Sequence, residues 1–252
     1  MINIIIPMAG RGSRFAVAGY KEPKPLIRIG EKRMIDVVVN NLRPCRPHRF
    51  IFVCQEEHIA GYGLVSLLEN IAPGSVVVPI QGITRGAACT VLAASEYIDN
   101  DQPLMIANSD QWVDTSIDSY LQHMDDQQLD GLIMTMTASD AKWSYVQCDE
   151  QGQVQRVVEK QVVSDEATVG IYNYRRGRDF CHFARQMIQN EDLSQGEFYV
   201  APVYNYLLQH NAGYRLGIMN IGTEMQGMYG LGTPEDLKKF TRLPIARQAM
   251  AF

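Results

Sequence analysis

The sequence predicts a mixed α/β domain with a parallel sheet in its N-terminal half. Two observations predict it. Apolar runs of strand length at residues 2–7, 49–54, 75–80 and 103–107 are separated by about 20 to 40 residues carrying helical patterns, as in parallel strands joined by crossover helices. The chain of 252 residues is long enough to bury a sizeable core, and no linker, internal repeat or low-complexity tract divides it.

In chain order, residues 2–7 read as the first strand, and Met34, Val37, Val38 and Leu42 form the stripe of the helix that follows. Between the third and fourth runs, Ala87, Ala88, Val91, Leu92, Ser95 and Ile98 form a second stripe. After Asp130 the spacing shortens, and residues 131–137, 144–148, 154–158 and 168–174 read as strands, with Asp149-Glu150-Gln151-Gly152 as a hairpin turn between two of them. Helices follow at 177–189 and 199–211, then a strand at 214–220. The last helix opens at Thr233-Pro234-Glu235-Asp236, with Thr as N-cap, Pro at the first helical position and acids in the first turn.

Composition excludes several classes of function. Lys and Arg number 23 against 28 Asp and Glu, a formal net charge of −5, which gives no electrostatic footprint for a nucleic-acid partner. Apolar stretches such as 4–9 and 76–80 are far shorter than the roughly 18 residues of a membrane span. The first residues lack a basic region and a small-residue cleavage site, so the expected location is the cytoplasm. The five cysteines are dispersed without a C-x-x-C pair, as reduced thiols are. The histidines form no H-E-x-x-H, so a bound metal must be a hard, oxygen-ligated one.

The strongest chemical signal is the loop after the first strand, Met8-Ala9-Gly10-Arg11-Gly12-Ser13-Arg14-Phe15, followed by Lys21-Glu22-Pro23-Lys24-Pro25-Leu26. A glycine-containing loop at the carboxyl end of a parallel strand lets backbone N–H groups approach an anion, and Arg11, Arg14 and Lys24 add cations there. It fits neither the dinucleotide-binding G-x-G-x-x-G nor the G-K-[ST] phosphate loop. Its chemistry points to a polyphosphate or nucleotide; a turn with solvated basic residues is the plainer alternative.

This stretch, with Pro23-Lys24-Pro25, resembles the G-x-G-T/S-R…P-K-P signature of the sugar-phosphate nucleotidyltransferases, or nucleotide-sugar pyrophosphorylases. Among these it is most similar to short single-domain bacterial members of capsule and lipopolysaccharide pathways, cytidylyltransferases included. The resemblance implies a GT-A-type, nucleotide-diphospho-sugar transferase-like three-layer α/β sandwich with a mostly parallel mixed sheet. It implies a single domain over 1–252, with a nucleotide-binding half at 1–110 and an acceptor-binding half at 111–252. The implied reaction is attack of an acceptor phosphate on the α-phosphorus of an NTP, with Mg²⁺ as cofactor and pyrophosphate as leaving group.

Position by position, the resemblance places Ala9 and Gly10 at the base and ribose, and Gly12, Ser13 and Arg14 at the triphosphate. Lys24 neutralises the α-phosphate, so Lys24 and Arg14 are the implied catalytic residues; charge develops on phosphoryl oxygens and no covalent nucleophile is needed. Gln81, Gly86 and Ala87 in Gln81-Gly82-Ile83-Thr84-Arg85-Gly86-Ala87 match a base-recognition segment, with Arg85 as an extra phosphate contact. Asp110, closing the run 104–110, matches a G-D motif whose Asp binds Mg²⁺. Glu159 and Lys160, with Gly170, match an E-K…G-x-Y acceptor segment, and Glu197 and Tyr199 match a segment over the acceptor pocket.

One departure stands out. Where many members carry D-I-G-T-P-E-D-L, with its first Asp as second metal ligand, this chain reads Gly230-Leu231-Gly232-Thr233-Pro234-Glu235-Asp236-Leu237. Either Glu224 takes over the metal, or Asp110 acts with phosphates and water alone, or activity is lost. The alternatives to a transferase of nucleotides are therefore a GT-A glycosyltransferase, since Asn108-Ser109-Asp110 faintly resembles D-x-D, and an inactive nucleotide-binding regulator. The resemblance leans towards a pyrimidine nucleotide, CTP, and implies no fused β-helix acyltransferase domain. Met219, Met225, Met228 and Tyr229 are candidates for a homo-oligomer patch, with core packing as the alternative.

Overall fold

The structure, a computed structural model, describes residues 1–210 and 213–252. β1 (Ile2–Pro7) leads through the glycine-containing loop to α1 (Ser13–Val17), a small hairpin of β2 (Arg28–Ile29) and β3 (Lys32–Arg33), and α2 (Met34–Leu42). β4 (His48–Gln55), α3 (Glu56–Tyr62), α4 (Leu64–Ile71), β5 (Val76–Ile80), α5 (Ala87–Leu92), α6 (Ser95–Ile98) and β6 (Leu104–Ala107) complete the first half. The second half runs β7 (Gln111–Val113), α7 (Ile117–Asp126), β8 (Gly131–Thr137), β9 (Ser144–Cys148), β10 (Val154–Glu159), β11 (Glu166–Tyr174) and α8 (Gly177–Gln189). It closes with α9 (Val203–His210), β12 (Leu216–Glu224), β13 (Gly227–Gly230), α10 (Pro234–Thr241) and α11 (Ile245–Ala249).

The expected α/β sheet is present. β5, β4, β1 and β6 lie side by side in parallel, and the sheet continues through β11, β8, β12 and β13 to β7 at its far edge. Beyond β6 it is mixed: β11 is antiparallel to β6 and β8, while β8, β12 and β13 are parallel neighbours. β9 and β10 form the hairpin expected around Asp149-Glu150-Gln151-Gly152, attached to the sheet through β11.

Alternating side chains bury both faces, the reason the first strand reads as an apolar run interrupted only by Asn3, whose buried amide oxygen accepts from Arg49. Ile4 and Ile6 pack with α2, α4, α7 and α10, and Ile5 packs with α5, α6, α8 and α9, so two cores sandwich the sheet. Met228 and Tyr229 are buried in the first core, and Met219 and Met225 pack against it. Core packing is thus what occupies the residues considered as an oligomer patch.

Three expectations change. The stripe 87–98 is two short helices rather than one, because the backbone tightens to an i→i+3 bond at Ala94 N–H to Val91 before α6 restarts. Ala88, Val91, Ala94 and Ile98 still share one buried face. The helix expected at 199–211 begins only at Val203, since Pro202 disfavours helical geometry in the residue before it; Asn211 lies outside the described residues. The strand expected at 214–220 starts at Leu216 and runs on to Glu224 along β8 and β13.

Candidate active site

The loop after β1 is fixed from the neighbouring strand. Gln55, buried at the end of β4, donates its side-chain N–H to the Ala9 carbonyl at 2.7 Å. Gly12 then turns with φ of 58°, left-handed backbone that favours glycine, and an added Cβ would stand 3.3 Å from Cβ of Lys24. Lys24 begins a 3-10 turn, Lys24–Leu26, bracketed by Pro23 and Pro25. Its ammonium reaches Asp110, 2.8 Å away at the carboxyl end of β6.

Arg14 and Asp110 line a cavity of about 660 Å³ at this end of the sheet, with the acceptor candidates Glu159, Lys160, Gly170 and Tyr199 on its other wall. Ala87 and Glu224 also line it. Ala9, Gly10, Gly12 and Ser13 form the loop beside it, while Gln81 is exposed and Glu197 sits in a turn bridged to Ser194. The structure therefore brings Arg14, Ala87, Asp110, Glu159, Lys160, Gly170, Tyr199 and Glu224 onto one cavity lining, while Lys24 reaches it only through Asp110.

Glu159 accepts a hydrogen bond from the Ser144 hydroxyl, and burial raises its pKa above the usual carboxylate range. Lys160 bonds the Tyr199 hydroxyl at 2.6 Å and lies 4.7 Å over its ring; that hydrogen bond raises the pKa of the ammonium. Gly170, with φ of 82°, leaves room for the amides of Asn108 and Gln111, both of which line the cavity. Gly86 is a second forced glycine: a Cβ there would collide with the Phe198 backbone, which receives the N–H of Ala88 at 3.0 Å.

Two candidates are engaged elsewhere. Arg85 pairs with Glu191 at 2.6 Å, covers the Phe198 ring and does not line the cavity, so in the ligand-free chain the residue expected as an extra phosphate contact sits in a surface ion pair. Glu224 is held by Lys142 at 3.0 Å. At the position of the missing acid, a Cβ on Gly230 would lie 4.0 Å from Oδ2 of Asp236, and one on Gly232 would lie 2.7 Å from Oδ2 of Asp110. Asp236 is fixed by the Thr233 hydroxyl, which donates to it at 2.6 Å.

Gln55, Lys142, Gln111 and Trp143 were not singled out from the sequence, and Asn108 was noted only within the D-x-D-like Asn108-Ser109-Asp110. Their signal is long-range contact, except that Gln111 directly follows Asp110. Among the described residues, no group of three His, Cys, Asp or Glu side chains is arranged to hold a metal, and no helix is long and apolar enough to cross a membrane.

Comparison with known proteins places this arrangement among relatives. Residues 3–211 match the family model described as nucleotidyl transferase. The bifunctional protein GlmU of Cupriavidus necator is 24% identical over 206 residues, which cover 79% of this chain and 43% of that protein. The chain thus spans less than half the length of this curated relative. The nucleoside-diphosphate-sugar pyrophosphorylase from Vibrio cholerae RC9 superposes with a TM-score of 0.78 at 22% identity, covering 95% of this chain and 100% of that one. A UDP-glucose pyrophosphorylase complexed with UDP-glucose superposes with a TM-score of 0.75 at 16% identity, covering 100% and 99%. At these identities the two structures share the fold.

Proposed function

Because the chain belongs to the nucleotidyl transferase family, we propose that it transfers a nucleoside monophosphate from an NTP to the phosphate of a sugar phosphate or small sugar-like metabolite. The observation that carries this reading is Lys24 against Asp110 at the mouth of β1 and β6, with Arg14 on the same cavity. A transferase that cleaves at a sugar carbon has less use for cations at an α-phosphate, which disfavours the glycosyltransferase reading.

In the proposed reaction an acceptor phosphate oxygen bonds to the α-phosphorus, the bond from that phosphorus to the β-phosphate bridging oxygen breaks, and pyrophosphate leaves. Ala9, Gly10, Gln81, Gly86 and Ala87 hold the base and ribose. Gly12, Ser13 and Arg14 hold the triphosphate, and Lys24 offsets charge on the α-phosphoryl oxygens as the new bond forms. Glu159 and Tyr199 orient the acceptor, and Lys160 faces its phosphate, with Gly170 keeping the floor open and Glu197 outside the first ring of contacts.

The donor chemistry fits Mg²⁺, a hard ion that takes few carboxylates and fills its other positions with phosphate and water. Asp110 is the first ligand; Asp236, next to Gly230, is better placed than the Lys142-bound Glu224 to be the second. When bound, the ion neutralises phosphate charge and aligns the leaving group. We assign CTP as the nucleotide and surface polysaccharide biosynthesis as the setting on the strength of the sequence resemblance.

The test is pyrophosphate release with Mg²⁺, each of the four NTPs and a panel of sugar and polyol phosphates, with Lys24→Ala as control. Release with one NTP and one acceptor class, lost in the variant, supports the reading. Silence together with no stabilisation by any NTP overturns it.

A further inference from the structure

The cavity wall contains two buried hydrogen-bond donors with nothing to bond. Gln111, the first residue of β7, is 4% exposed, and its Nε2 has no partner in the protein. Trp143, just before β9, is half-buried, and its indole N–H is likewise buried and unpartnered. Both residues line the same cavity; they fall in the half that the sequence resemblance assigned to the acceptor, but neither is among the residues it named there, Glu159, Lys160, Gly170, Glu197 and Tyr199. Asp36, Ser75, Thr135, Asn173 and Tyr174 also carry a buried side-chain oxygen without a partner, but among the described residues Gln111 and Trp143 supply the unpartnered nitrogen donors, and both line this one cavity, which marks them as places where another molecule supplies the oxygen.

We propose that Gln111 and Trp143 are specificity-determining residues that donate to oxygen atoms of the acceptor, selecting a hydroxyl-bearing sugar or polyol phosphate over an alkylammonium phosphate. The inference rests on the reading of the chain as a nucleotidyltransferase with a phosphorylated acceptor. Gly170 supports it: a Cβ there would run into the amides of Asn108 and Gln111, so the glycine keeps both amides against the cavity floor. Glu159 completes the recognition, because its desolvated carboxylate accepts what the other two cannot. A hydroxyl both accepts and donates and so matches N–H donors and a carboxylate together. A trimethylammonium group offers no oxygen to Gln111 or Trp143.

The experiment compares wild type with Gln111→Met and Trp143→Phe, using CTP and then the other NTPs, with glucose 1-phosphate, glycerol 3-phosphate and phosphocholine as acceptors. Wild type is expected to use a hydroxylated acceptor and not phosphocholine. Each variant is expected to raise KM for that acceptor about 10- to 100-fold, with NTP-induced thermal stabilisation retained, the loss anticipated for a hydrogen bond made only to the ligand. Gln111→Met also removes an unpaired buried amide, so the free protein should melt at the same temperature as wild type or higher. A lower melting temperature with unchanged acceptor KM would reveal a structural role and overturn the proposal, as would unchanged KM in both variants or preferred turnover of phosphocholine. Wild-type silence with every acceptor despite NTP stabilisation overturns the assigned acceptor class; silence without stabilisation overturns the nucleotidyltransferase reading beneath it.

Discussion

The ammonium of Lys24 lies 2.8 Å from Oδ2 of Asp110, joining positions 86 residues apart. Each neutralises the other in the ligand-free protein. In the proposed reaction a triphosphate and its cation would offer both groups stronger partners, so nucleotide binding would exchange one ion pair for two. Lys24→Ala is expected to reduce turnover about 10²- to 10³-fold while the NTP still stabilises the protein. Pyrophosphate release and thermal shift, measured side by side, check this.

The same pairing bears on the metal. With Lys24 beside it, Asp110 is a poor site for a free divalent ion, so Mn²⁺ followed by electron paramagnetic resonance should bind more tightly when CTP is present than when it is absent. Asp110→Asn should abolish the tight site. Asp236→Asn should weaken it more than Glu224→Gln does, and the opposite order would return the second ligand to Glu224.

Glu159 carries a pH signature. Its pKa in the folded chain is raised, chiefly by burial, so in the window between the ordinary glutamate value of about 4.3 and the raised one the folded state holds more proton than the unfolded. Its contribution to stability is therefore present at low pH and lost as pH rises through that window. Glu159→Gln keeps an oxygen for the Ser144 hydroxyl and should flatten this part of the stability profile. Chemical denaturation of both proteins across that range tests the slope.

Gly86 predicts a packing cost. With φ of 136° and the Phe198 backbone against it, Gly86→Ala combines strain with overlap and should cost about 2 to 4 kcal/mol. Urea unfolding measures it, and a change below about 1 kcal/mol would mean that the segment carrying Phe198 yields easily.

Much of this was legible in the sequence because it is local. Residues 2–7 announce a doubly buried strand by the apolar run Ile4-Ile5-Ile6, and Thr233 to Asp236 announce a helix start by capping chemistry that the structure repeats, Thr233 accepting from the Asp236 N–H. The stripe 87–98 predicted the correct buried face but not the break at Ala93 and Ala94, since a tightened turn keeps the same side inward. Long-range partners were not legible. Nothing local to Arg85 announces its ion pair with Glu191, far along the chain, and nothing local to Glu224 announces its pair with Lys142. β7 and β13 are three and four residues long and carry too little pattern to be seen without their neighbours.

The order of the strands has one more consequence. β6 and β7 are consecutive in the chain, yet β11, β8, β12 and β13 lie between them in the sheet. Laid flat, that separation is about 24 Å, whereas the link from Ala107 to Gln111 can stretch only about 14 Å. The far edge must therefore roll back towards β6, with register shifts in β11 and β12 as bending points. Asp110 is the rivet of that roll: its carbonyl accepts from the Leu231 N–H at 2.8 Å while its carboxylate holds Lys24, so one residue ties the two ends of the sheet together.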